Sequence, residues 1–220
     1  MKFDWTSDWP VFAQAIGETL WIVGVALGVG GVLGLIMGLL LYSTRRGGVL
    51  QHNAVFTFLN VLVNFVRPIP FIIFLTAVAP LTRALTGTTI GNEAFVVPAA
   101  VMCSFATARI VEQNLVALDP GIVEAARSMG ASPWTILRTV VIPEALGPLI
   151  LGYAFIFVAV VDMSALAGTI GGGGLGNFAL VYGYQRFDQV STWITVIVIV
   201  VLVQAVQFFA NWLARKVMRR

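Results

Sequence analysis

Few side chains in this 220-residue chain can do chemistry, and those that interrupt its apolar runs stand out. Asp162 lies in one such run, directly before Met163 and Ser164. A carboxylate at the centre of a membrane helix costs about 2.5–3.5 kcal/mol unless water or a partner compensates. Asp162, Met163 and Ser164 are therefore candidates for a translocation path, where the carboxylate could meet a substrate's ammonium group; a position near the interface or a pairing with Arg67 meets the same cost. Arg67, in mid-run before Pro68 and Pro70, is either a gate residue or a cap for carbonyls that the prolines leave without donors. Arg109 and Glu112, three apart at the end of another run, pair on one helical face.

The remaining reactive residues point away from catalysis. No Ser-His, paired-Asp or His-rich spacing falls within the apolar runs. His52, the single histidine, has no second ligand near it in sequence, and Cys103, the single cysteine, sits in an apolar stretch, so no metal site and no intrachain disulfide is expected. Gly171 to Gly174 followed by Leu175-Gly176 resembles a phosphate loop only superficially, because no Gly-Lys-Ser/Thr follows. No cofactor is expected on this chain; the glycines let the backbone turn or pack closely at a membrane surface.

The elements that position these residues follow from composition. Hydrophobic residues make up 59% of the chain and charged residues 10%, with 13 Lys+Arg against 10 Asp+Glu, which is too little charge to cover a water-facing surface. No charge falls between Glu18 and Arg45, Arg46 and Arg67, Glu144 and Asp162, Asp162 and Arg186, or Asp188 and Arg215. Such gaps match bilayer spans of about 20 residues. The expected fold is all-α and polytopic, with five transmembrane helices over about 19–42, 54–80, 95–116, 145–166 and 191–214 and one short cytoplasmic helix. The second span should kink or break at Pro68 and Pro70. Residues 1–18, carrying Asp4, Asp8 and Glu18, are too acidic for the basic start of a cleaved signal peptide and form an extracytoplasmic segment.

Orientation follows from the basic residues. With the C-terminus inside, Arg45, Arg46, Arg127, Arg138, Arg215, Lys216, Arg219 and Arg220 are cytoplasmic, against Lys2, Arg83 and Arg186 outside. Residues 215–220 then form a basic cytoplasmic tail at a bacterial inner membrane. The net charge of +3 reflects topology, and no basic stripe with interleaved aromatics suggests nucleic acid. Gly24 and Gly28, and then Gly30, Gly34 and Gly38, let another helix backbone approach the first span, in a homodimer seam or within one subunit.

The longest cytoplasmic connection, about 117–144, holds most of the non-terminal charge. Asp119-Pro120 is a helix start and Gly130 a helix stop. Between them lie Glu124, Ala125, Ala126, Arg127, Ser128 and Met129, a helix too short to be stable without a surface to dock on. Glu-Ala-Ala at 124–126, Gly130, Val140, Ile142 and Pro143 resemble the loop of ABC-importer permeases that reads Glu-Ala-Ala, three residues, Gly, nine residues, Ile, one residue, Leu-Pro. Arg67 to Ile73, Ile110-Val111-Glu112, Pro143 to Leu146 and Gly171 to Gly176 are similar to the methionine-importing branch of that family. The resemblance implies a type I ABC permease, not itself an enzyme, that works as a homodimer. Residues 124–130 would be its coupling helix, seated on one of two cytoplasmic ATPase subunits that bind ATP and Mg, and an external solute-binding protein would deliver the cargo. Another amino acid or small polar metabolite is the alternative cargo. A self-sufficient secondary carrier would instead predict paired interrupted helices, and only the second span is interrupted.

Overall fold

The computed structural model describes residues 3–5 and 8–218, so Lys2, Arg219 and Arg220 lie outside the described residues. All described regular structure is helical: α1 (Trp9–Thr44), α2 (Asn53–Val66), α3 (Phe71–Ala77), α4 (Ala79–Thr86), α5 (Asn92–Val116), α6 (Pro120–Ser128), α7 (Pro133–Ile136), α8 (Ile142–Ser164), α9 (Leu175–Phe178) and α10 (Gln189–Met218). A π-helical turn, Leu137–Val141, joins α7 to α8, so one continuous apolar helix runs from Pro133 to Ser164. Among the described residues four helices are long and apolar enough to cross a membrane, and α2 with α3, whose axes meet at 112°, is long and apolar enough as a pair to be a fifth, broken span or a re-entrant loop.

The break lies where two prolines remove backbone donors. α2 ends at Val66, Arg67 caps it, and Pro70 precedes the first turn of α3. Its 14 residues, about 21 Å at 1.5 Å per residue, are short of a hydrocarbon core of about 30 Å. The 54–80 run is thus two helices at an angle, followed by α4, which Gly87 ends at φ +75°.

α1 begins ten residues before the predicted 19–42 span, with Pro10 in its first turn. Glu18 does not bound the helix because its carboxylate has partners: Gln14 Nε2 donates to it at 2.8 Å and the Gly174 amide at 2.7 Å. α1 and α5 form the central seam. A Cβ added at Gly34 would lie 2.5 Å from Thr107 Cβ and 2.6 Å from Ser104 O, and one at Gly38 would lie 2.6 Å from Val111 Cβ. Gly30, Gly34 and Gly38 therefore serve packing within the subunit, whereas Gly24 and Gly28 face open space. α8 lies on this pair, burying Ile156 and Val160 against Ile22, Ala26, Phe95, Ala99 and Cys103. α10 leans on α8 from outside, and only 11% of its apolar window is buried.

At the end of the bundle away from α6, polar side chains pin the glycine turn. The Gly173 amide donates to Asn92 Oδ1 at 2.8 Å, Gly174 to Glu18, and Leu175 to Thr19 Oγ1 at 2.8 Å. Gly171 and Gly174 have φ of +73° and +95°, and a Cβ at Gly173 would collide with the Glu18 carboxylate. Nearby, Asp188 accepts from Ser191 Oγ at 2.8 Å and from the Phe3 amide at 3.3 Å, tying the first described residues to the start of α10.

The Ser191 hydrogen bond, with those from the Phe3, Ser191 and Val190 amides, holds the Asp188 carboxyl below its ordinary range. A depressed carboxylate contributes stability above its unfolded-state pKa of about 3.9 and loses it as pH falls through the folded value. The tether is expected to hold at neutral pH and to release below about pH 4, read as a change in emission that disappears in a Trp5→Phe variant.

Candidate functional site: α6 and the polar residues of the spans

α6 is built by its sequence punctuation. The Asp119 carboxylate accepts from the Gly121 amide at 2.8 Å, and Pro120 opens the first turn. Its far end closes at Gly130, φ +78°, where the Gly130 amide reaches Arg127 O at 2.9 Å and the Ala131 amide reaches Ala126 O at 3.1 Å. The Ser132 hydroxyl then accepts from the Thr135 amide and starts α7.

The two alanines of the motif have different tasks. Ala126 is buried in one cluster with Tyr42, Val111, Leu115, Ile136, Val141 and Ala145, and α6 packs on α7 and on the π-helical turn that leads into α8. Ala125 faces out beside Glu124. Arg127 turns back to its own chain, donating to the carbonyls of Gly47 at 3.3 Å and Gly48 at 2.9 Å in the α1–α2 connection. The Ser128 hydroxyl bonds Glu124 O within the helix. Met129 is 80% exposed and Trp134 64% exposed, so the outer face presents a small flat alanine surface with a carboxylate and two large apolar side chains. A face of this kind suits docking to another protein.

The in-span candidates differ in exposure and packing. Asp162 and Arg67 are both exposed, and among the described residues they form no ion pair with each other. Met163 is half-buried against Val66, Phe74 and Met102. The Ser164 hydroxyl is buried and donates to Val161 O at 2.7 Å, which makes it part of the helix end rather than a path-facing donor. Arg67 stands at the α2–α3 break.

A polar cluster the sequence reading did not assemble lies between α2 and α5. Arg109 pairs with Glu112, which is buried, and also donates to Asn60 Oδ1 at 3.1 Å and to Asn64 Oδ1. Asn64 Nδ2 in turn donates to Asn60 at 3.1 Å. The signal was present in α2 as Asn53, Thr57, Asn60 and Asn64, spaced four, three and four apart along one helical face. Among the described residues no group of three or more His, Cys, Asp or Glu could hold a metal ion.

A long seam of helices, a broken span and a capped, outward-facing helix between α5 and α8 define a membrane transport component. The chain belongs to the family of binding-protein-dependent transport system inner membrane components, whose model matches residues 30–219. It is 37% identical, over 100% of both chains, to a Vibrio cholerae protein named "Probable D-methionine transport system permease protein MetI". It is also 37% identical to the "Methionine import system permease protein MetP" of Bacillus subtilis, over 82% of each chain. Among solved structures it is similar to a chain of the MetNI methionine ABC transporter in inward-facing conformations, with TM-score 0.92, 35% identity, and coverage of 98% of this chain and 99% of that one.

Proposed function

We propose that this chain is the transmembrane subunit of an ATP-driven importer for methionine. It works as a homodimer, with the N-terminus outside and the C-terminus in the cytoplasm. The observation that carries this reading is α6: a helix packed on the π-helical turn that leads into α8 and tied to the α1–α2 connection by Arg127, with Glu124, Ala125 and Met129 turned outward. A relative named as a methionine permease over the full chain, and a second over 82% of it, support the cargo.

Energy enters through partners. Two cytoplasmic ATPase subunits, binding ATP and Mg, seat the two copies of α6, and an external solute-binding protein delivers methionine. ATP-driven closure of the ATPase pair carries the α6 helices together. Because α6 packs on the turn that leads into α8 and Arg127 ties it to the α1–α2 connection, its movement passes to the spans, which alternate between inward-open and outward-open arrangements. Asp162, exposed on α8, and Arg67, exposed at the α2–α3 break, are the residues assigned here to the path.

Proteoliposomes carrying the permease, its ATPase and its binding protein are expected to accumulate labelled methionine with ATP; no accumulation of either enantiomer, with another amino acid taken up instead, would replace the cargo. In the same assay Asp162→Asn, which removes charge and keeps shape, is expected to lower uptake about tenfold, equivalent to about 1.4 kcal/mol. Unchanged kinetics would take Asp162 out of the path. A reporter fused after Arg220 is expected to read cytoplasmic, and an external reading reverses the orientation.

A further inference from the structure

The structure assigns a site for an anionic phospholipid in the groove between α1, α8 and α10. This groove encloses about 370 Å³ and is walled by aliphatic and aromatic side chains, among them Leu27 and Leu35 of α1, Leu146 and Phe157 of α8, and Phe209 and Leu213 of α10. The one polar group in its lining is turned away: Tyr153 donates its hydroxyl proton to Gly31 O at 2.7 Å. On α8 the lining runs from Ile142 to Phe157, about 22 Å at 1.5 Å per residue. That length exceeds half of a hydrocarbon core of about 30 Å, so the groove reaches from mid-bilayer to one interface.

Three observations select a lipid of stated charge. First, at about 100° per residue, Asp162 lies roughly 120–180° around α8 from Leu146, Ile150 and Tyr153, so the groove opens away from the face that carries the in-span carboxylate. Second, α10 is the least buried of the four long apolar helices within the protomer, so its flanks are open on this side. Third, the groove leads toward a cation. Val206, Phe209, Ala210 and Leu213 form its α10 wall, and Lys216, three residues past Leu213 in the last turns of the helix, lies about 60° from it around the axis at about 100° per residue. The Lys216 ammonium lies 5.2 Å from the Trp212 ring centroid, and among the described residues neither Lys216 nor Arg215 is in an ion pair. An apolar trough that leads toward Lys216, a cation without an acidic partner, matches one acyl chain with a negatively charged headgroup at its end. Only the choice of leaflet rests on the orientation proposed above; that leaflet is the cytoplasmic one, where anionic lipid and a basic helix end attract each other.

Native mass spectrometry of the purified full chain, equilibrated with phosphatidylglycerol or phosphatidylcholine, tests the site. The wild-type protein is expected to retain phosphatidylglycerol at least tenfold better than phosphatidylcholine. Lys216→Gln is expected to abolish that preference, and Ala154→Phe, which fills the groove and keeps the cation, is expected to lower retention of both lipids. Equal retention of the two lipids by the wild type, or unchanged phosphatidylglycerol retention in both variants, overturns the assignment. A Phe209→Cys variant that forms disulfides between copies would place a second copy on this face and overturn it as well. Retention in detergent does not depend on orientation, so failure here and failure of the reporter fused after Arg220 are separate results.

Discussion

Gly130→Pro is expected to lower ATP-driven uptake by at least about 30-fold while the spans still insert, because it destroys the end of α6 and leaves the bundle intact. Gly130 holds φ +78°, and proline is locked near −65°, so the native turn is closed to it. The substitution also removes the Gly130 amide that reaches Arg127 O and disfavours the φ −81°, ψ 4° conformation of Met129, the cap residue before it. A forced left-handed residue costs about 1–3 kcal/mol and a lost hydrogen bond about 1 more, and a shift of about 2 kcal/mol is roughly 30-fold in an equilibrium. The penalty falls on the geometry that sets Glu124 and Ala125 against a partner. Gly130→Asn, which tolerates the left-handed region, is expected to keep most of the uptake. ATPase activity and methionine uptake measured together separate the outcomes: hydrolysis that persists without uptake is uncoupling, and wild-type uptake by the proline variant removes α6 from the coupling path.

That turn was legible because helix punctuation is local. Asp119-Pro120 and Gly130 mark a start and a stop whose chemistry needs only neighbouring residues, and the structure builds α6 between them. Which alanine faces inward was not legible, because Ala125 and Ala126 differ only by a rotation about α6, and Leu115, Ile136 and Val141, which lie many residues away, decide it. The inward turn of Arg127 escaped for the same reason, since its acceptors are the carbonyls of Gly47 and Gly48 and no sequence pattern marks a free carbonyl.

The spans show the same division. Gaps between charges located five apolar runs, because excluding charge from hydrocarbon is a property of each residue alone. The reach of each helix depended on partners instead. Glu18 reads as a boundary until its carboxylate is seen to take the Gly174 amide, and α1 then continues back to Trp9. The π-helical turn at Leu137–Val141 carries the fourth crossing back to Pro133, a geometry with no composition of its own. The two glycine sets on α1 have one spacing and one appearance in sequence. Only the position of α5 divides them into a buried ridge at Gly30, Gly34 and Gly38 and an open one at Gly24 and Gly28.

That division gives the largest expected effect on stability. Gly34→Leu is expected to prevent accumulation of folded permease, because even its first carbon would sit 2.6 Å from Ser104 O and 2.5 Å from Thr107 Cβ. Ser104 O belongs to the α5 backbone and cannot rotate away, so the helices must part along the central seam, taking with them the packing around Cys103, Ile156 and Val160. The matched pair Gly34→Ala and Gly28→Ala isolates this contact from helix propensity, since both gain about 0.8–1.0 kcal/mol of intrinsic helix preference. Gly28 has no atom within 4 Å of an added Cβ, so Gly28→Ala is expected to leave the unfolding temperature unchanged or raised. Gly34→Ala meets overpacking of about 1–3 kcal/mol, at the upper end because the obstacle is backbone. At about 2–4 °C per kcal/mol for a chain of this size, thermal unfolding in detergent is expected to place Gly34→Ala several degrees below Gly28→Ala. Equal unfolding temperatures would mean that α1 and α5 do not meet at Gly34, and the seam that positions α6 would have to be drawn elsewhere.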